Sequence, residues 1–169
     1  MMSLTSEHYQ SIGEIVVVWA KLEIHIVKVL RTLSRMTFKE ALVVYLQMGF
    51  REKLTVLRGL LIAKEPNKEA KVRKEFEALA KRLESAYSNR NLVAHSIWFP
   101  GAKDGEISAF GFDTKIQKIE GRDEKRNSFN AAAFHKQAMA IDRLAEDFKA
   151  FFEENFKVSF IHKKQGGLD

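Results

Sequence analysis

The chain predicts an all-α fold: an up-and-down bundle of four to five helices with a small β-hairpin or ordered loop before the last helix. Three observations carry this expectation. Only two prolines, Pro66 and Pro100, interrupt 169 residues, which leaves long stretches free to be helical. Apolar residues recur at spacings of three and four over most of the chain. The texture changes once, after Pro100, to a glycine-punctuated pattern of short alternating runs.

The first helix spans Thr5 to about Ser34. Ile12, Ile15 or Val16, Trp19, Leu22, Ile26, Leu30 and Leu33 form its seam, and Ser3, Thr5 and Ser6 all offer capping oxygens near its start. A second helix is expected from about Phe38 to Met48 and a third from about Arg51 to Lys64, with Gly49 as the break between them. Pro66 and Asn67 then form a turn and a cap for the fourth helix. That helix carries Val72, Phe76, Leu79, Leu83, Ala86 and Arg90 at alternating spacings of four and three. Arg90 therefore falls where the next core residue belongs, and its side chain is directed toward the interior or toward an interface.

Between residues 97 and 120, turn signals at Gly101, Asp104-Gly105 and Gly121 bracket alternating runs at Ile107 to Phe112 and Lys115 to Ile119. Asn127 or Ser128 caps a final helix from about Phe129 to Phe156. Its stripe is Phe134, Ala138, Ile141, Leu144, Phe148 and Phe151 or Phe152. One domain over residues 1–158 is expected, with a frayed tail over 159–169.

Composition narrows the chemistry. Hydrophobic residues at 46% and charged residues at 30% describe a globular chain rather than a disordered one. The absence of cysteine removes disulfides, thiolate metal sites and thiol nucleophiles. The longest apolar run, Ile15 to Ala20, is far short of the roughly 20 residues of a membrane span. The N-terminus lacks the basic and apolar regions of a signal peptide, so a cytoplasmic protein with no membrane partner is expected. A net charge of +6 is compatible with a phosphate-bearing partner. His25 and His135 have no second ligand four residues on, so neither a metal site nor a cofactor is expected. The aromatic group Phe148, Phe151, Phe152 and Phe156 has the spacing of a core or an interface.

Two features remain for chemistry. Asn91 and His95 are four apart and share a helix face, whereas Arg90 is displaced from Asn91 by about 100° on the helical wheel. One straight helix thus cannot converge all three on one ligand; a bent helix end or a second chain is needed. On the first helix, Glu23 lies beside the apolar seam, where a carboxylate is costly without a partner. Arg90 is its expected partner, as a buried clamp between two helices.

The segment "YSNRNLVAHSIW" resembles the R-N-x-x-x-H signature of the HEPN superfamily, and the first helix with "WAKLE" is similar to the opening helix of several HEPN-like families. The motif itself covers six residues, while helices in the expected order cover most of the chain. The resemblance implies a metal-independent endoribonuclease, of a kind found in toxin–antitoxin and defence systems, with a composite active site formed by two copies in a homodimer. Partners would then be RNA and an antitoxin or regulatory protein.

Carried over by position, the catalytic roles fall on Arg90, Asn91 and His95, with Glu23 supporting Arg90. An imidazole exists in both protonation forms near neutrality and can act as general acid or base. A guanidinium offers a planar fork to phosphate oxygens. Ser96 is either a helix cap or a phosphate contact. Arg122, Lys125 and Arg126, in the mixed-charge segment Gly121 to Asn127, are either a solvated loop or further RNA contacts. Two non-enzymatic functions fit the same resemblance: a noncatalytic dimerisation module, and a regulator that binds nucleic acid without cutting it.

Overall fold

The computed structural model describes residues 4–64, 69–101, 103–111 and 128–160. Among these residues the order is α1 (Ser6–Ser34), α2 (Phe38–Tyr45), α3 (Phe50–Lys64), α4 (Ala70–His95), β1 (Ser96–Pro100), β2 (Glu106–Gly111), β3 (Ser128–Asn130) and α5 (Ala131–Phe156). The all-α class is as expected. The excursion before the last helix is a three-stranded antiparallel sheet in the order β1-β2-β3, and its third strand lies beyond residue 120. No helix among the described residues is long and apolar enough to cross a membrane.

Local chemistry sets the helix ends. Thr5 precedes α1, and its backbone N–H and hydroxyl both meet Nδ1 of His8, at 3.3 and 2.8 Å. Arg35, at φ 59°, turns the chain out of α1 in the left-handed conformation, and the Met36 N–H returns to the Arg31 carbonyl at 3.2 Å. Helix α2 opens with a capping box: Glu40 N–H donates to the Thr37 hydroxyl, and Thr37 N–H donates to the Glu40 carboxylate. That bond holds the Glu40 carboxyl below its usual range. Helix α2 ends at Tyr45 rather than at Met48, and α3 starts at Phe50. Gly49 supplies the break, its N–H donating to Glu52 at 2.7 Å. The expected turn at Pro66 and Asn67 lies outside the described residues.

The chain forms two compact units. Unit 1 comprises residues 1–20 and 85–142, and unit 2 comprises residues 21–84 and 143–169. Helices α1, α4 and α5 each contribute residues to both.

Unit 2 is a helical bundle with a continuous apolar core. Leu22, Ile26 and Leu30 of α1, Leu54 and Leu57 of α3, Phe76 and Leu83 of α4, and Phe148 and Phe152 of α5 are all buried. Phe76 meets Phe151 and Phe152 at 6.1 Å between centroids, and Arg82 pairs with Asp147, so α4 and α5 run antiparallel. Lys21 pairs with Glu146, while His25 and Lys28 lie against Phe160 beyond the end of α5, so α1 and α5 run in the same direction. The three long helices therefore run up, down and up. Val158 and Phe160 are buried, with Val158 N–H bonded to the Phe152 carbonyl at 3.2 Å. The packed chain thus extends to residue 160, and the rest of the expected tail lies outside the described residues.

Unit 1 joins helix ends to the sheet. Its core is Ile15, Trp19, Val93, Ile107, Phe134, Ala138 and Ile141. Of the two sequence candidates for the α1 seam, Ile15 is fully buried and Val16 is 44% exposed. Strand β1 pairs with β2 from Ser96 opposite Gly111 to Pro100 opposite Ile107, and Ile107 faces Phe129 of β3. The connection between β1 and β2 needs two glycines. Gly101 lies where a Cβ would sit 2.7 to 2.9 Å from Glu106, and Gly105 adopts φ 76°.

The last helix begins later than the sequence suggests. Phe129 is in β3, and Asn130 caps α5 by accepting from Ala133 N–H at 2.8 Å. The cap is therefore neither Ser128, which opens β3, nor Asn127, which lies outside the described residues. Tertiary packing draws Phe129 into the sheet: its ring stacks on Phe134 at 5.4 Å and meets Trp98 edge-on at 5.7 Å.

Candidate functional site at the end of α4

Helix α4 carries the R-N-x-x-x-H segment through to its last residue, His95. Its end is fixed from two sides in unit 1. Tyr87 packs on Trp19 at 5.9 Å between ring centroids, and Val93 is buried. Trp98 of β1 donates its indole N–H to the Val93 carbonyl at 3.3 Å, which satisfies one of the carbonyls the last turn leaves open. The same indole packs edge-on against Phe129 and Phe134. The end of α4 is thereby tied to the sheet and to α5.

Arg90 is half-buried, as its place in the seam suggests. Its Nη1 donates to the side-chain oxygen of Asn91 at 3.2 Å, and its Nε is buried with no hydrogen-bond partner among the described residues. A buried guanidinium N–H without an acceptor is a costly arrangement that an incoming anion would relieve. Asn91 is half-buried and His95 is exposed. The Ser96 hydroxyl, first in β1, is buried without a partner among the described residues.

Glu23, the clamp expected for Arg90, has a partner within its own unit. It lies in unit 2, where it accepts from Lys53 Nζ at 3.4 Å. Lys53 is 4% exposed, so the carboxylate that the sequence places beside the apolar seam neutralises a buried ammonium instead. Lys53 escapes sequence reasoning because it sits 30 residues from Glu23 among the apolar positions of α3. The structure thus brings Arg90 and Asn91 into contact, leaves His95 open on the helix end, and gives Glu23 a different partner. Arg122, Lys125 and Arg126 lie outside the described residues. His135, a weak metal candidate in the sequence, pairs with Glu14 at 2.7 Å and holds that carboxyl below its usual range.

A cleft of about 360 Å³ adjoins the motif in unit 1. Its walls come from Asn89 and Leu92 on α4, Phe129 of β3, and Ala133, Lys136, Gln137 and Ala140 on α5. Sequence reasoning missed it, although a signal exists: Ala133, Gln137 and Ala140 fall at i, i+4 and i+7, a stripe of small residues broken by one amide. Small side chains on one helix face leave room beside a neighbouring element.

No family model, curated protein or solved structure matches the chain.

Proposed function

We propose that the protein is a cytoplasmic, metal-independent endoribonuclease of HEPN type, with an active site built from the α4 ends of two copies. One observation carries this reading. His95 stands exposed at the end of α4, five residues after an arginine whose guanidinium is steadied by Asn91 and retains an unused, buried N–H donor. The last turns of one helix thus carry both a proton-transfer group and an anion-binding group.

The reaction these groups suit is attack of an RNA 2′-hydroxyl on the adjacent phosphorus. The O2′–P bond forms and the P–O5′ bond breaks. One imidazole takes the 2′ proton, another delivers a proton to the departing 5′-oxygen, and the product carries a 2′,3′-cyclic phosphate. Arg90 stabilises the charge that develops on the phosphoryl oxygens, and Asn91 orients the guanidinium. Among the described residues the motif supplies one exposed imidazole, His95, where the reaction uses two. A second copy supplies the other.

The test is RNA cleavage in EDTA, comparing the wild type with His95→Ala. Loss of this group is expected to reduce cleavage by about 10²–10⁴-fold, with the thermal midpoint unchanged because the side chain is exposed. Products with 2′,3′-cyclic ends support the mechanism. Equal cleavage by the two proteins rejects it.

A noncatalytic interaction module is the second reading, favoured by an apolar stripe on α1. Tyr9, Val16 and Val17 are 64%, 44% and 69% exposed, flanked by exposed Gly13 and Ala20. Such a face suits close packing against another helix. Intact RNA under all conditions, together with Val17→Asp turning a dimer into a monomer, establishes that function in place of the nuclease.

A further inference from the structure

We propose that the cleft beside the motif is a nucleotide site that holds one base and its phosphate, a proposal that rests on the RNA reading of His95. The cleft has the three components a nucleotide needs. Leu92, Ala133 and Ala140 give it an apolar lining, and the two alanines leave the space open. Phe129 forms a rigid wall because Phe134 stacks on it at an interplanar angle of 15° and Trp98 abuts it at 85°. At about 360 Å³ the space is at the small end of ligand sites, large enough for a base and part of its sugar.

The polar groups set the ligand class. Gln137 lines the cleft, yet its Nε2 is buried and has no hydrogen-bond partner among the described residues. An unmade bond of this kind costs about 1–3 kcal/mol. Rotation of the terminal amide into the cleft would relieve that cost if an acceptor were waiting there. An amide offers donors and an acceptor together and therefore matches the edge of a base better than it matches a lone anion. Asn89 brings a second amide from α4. Lys136, exposed on α5, places a cation at the rim, where a phosphate can remain hydrated while paired. A wholly apolar ligand would leave both amides unmatched. A free phosphate would leave the apolar wall unused.

The site also has a useful address. Leu92 follows Asn91 directly and precedes His95 by three residues, about 4.5 Å along the helix axis. A base seated there places its sugar–phosphate chain along the Arg90–His95 segment, so Gln137 would select the nucleotide beside the cleaved bond.

The experiment uses the full chain carrying His95→Ala and titrates it with each of the four ribonucleoside 5′-monophosphates, and separately with inorganic phosphate. The readout is the side-chain amide NMR signals of Gln137 and Asn89. At least one nucleotide is expected to shift both signals, while inorganic phosphate leaves them in place. Adding Gln137→Leu is expected to weaken the preferred nucleotide at least tenfold, and adding Gln137→Glu, which keeps the shape and loses the donors, to change which nucleotide is preferred. Adding Lys136→Ala is expected to weaken all four and to reduce the salt dependence. The proposal is overturned if no nucleotide moves either amide, or if Gln137→Leu binds all four as before.

Cleavage assays on the otherwise wild-type chain separate the two ideas. Nucleotide binding without RNA cleavage rejects the nuclease and keeps the site. Cleavage whose sequence preference survives Gln137→Leu rejects the site and keeps the nuclease.

Discussion

The two units treat polar groups in opposite ways. In unit 2 several ionic side chains pair across helices: Lys21 with Glu146, Lys53 with Glu23, Arg82 with Asp147, and Arg58 with both Glu77 and Glu84. The hydrogen bonds that Arg58 donates to Glu77 raise its pKa further. Unit 1 has its own exposed pair, Glu14 with His135. It also holds most of the buried polar atoms without a partner among the described residues: His8 Nε2, Arg90 Nε, Ser96 Oγ and Gln137 Nε2. Two of these belong to the motif or its immediate neighbour, and a third lines the adjoining cleft. Folding tends to eliminate unmatched buried donors because each weakens the native state. Among the described residues, four of the five such atoms lie in unit 1, the unit that carries the proposed site.

The contrast concerns polar groups, and the apolar cores should not share it. Phe134 of unit 1 and Phe152 of unit 2 are both fully buried. Phe134→Ala and Phe152→Ala are each expected to cost about 3–5 kcal/mol, read from urea denaturation. A cost well below this range at Phe134 alone would show unit 1 to be loosely packed, and its unmatched donors would then reflect poor packing instead of a binding role.

The next effect probes how tightly unit 2 is matched. Lys53 has a side chain only 5% exposed, whereas its partner Glu23 is 33% exposed. Glu23→Gln strands a buried ammonium and is expected to cost about 1–3 kcal/mol. Lys53→Met leaves a carboxylate that can still face water, and it fills the space with an apolar chain, so its cost should be smaller. Equal costs for the two variants would mean that burial of Lys53 is not what gives the pair its value. Removal of an unmatched group in unit 1 should behave differently: Ser96→Ala should leave stability unchanged or raise it.

The smallest effect is a pH dependence from His25, a half-buried imidazole of unit 2. Burial, with Phe160 edge-on at 5.2 Å, holds its pKa below the usual histidine value of 6.5. The unfolded chain then binds more protons than the folded one, so stability is full above about pH 6.5 and declines as pH falls through the folded value. Urea midpoints between about pH 7.5 and about pH 5 should show this decline, and His25→Gln should flatten it. The lowered carboxyls Glu14, Glu40 and Glu146 lose their contributions only at lower pH, because stability that depends on a depressed acid is present above its unfolded value of 4.5. An unchanged slope in His25→Gln would assign the decline to other groups.

Much of this was legible in the sequence. The spacing of Phe76, Leu79 and Leu83 gave α4 its seam, and the same count carried Arg90 inward, where its Nε is indeed buried. Gly49 marked the break between α2 and α3, and Asp104-Gly105 marked the turn between β1 and β2. These features depend on neighbours within about one helical turn or one hairpin, a range over which sequence spacing becomes spatial spacing directly.

The tertiary structure decided the rest. It gave Glu23 to Lys53, 30 residues away. It drew Phe129 out of the last helix and into a third strand, because the ring finds Trp98 and Phe134 there. It also opened a cleft beside the motif by setting the small residues of α5 against Asn89 and Leu92. Each of these outcomes depends on which distant side chains meet, and that is fixed by packing and burial across elements, which no local period encodes.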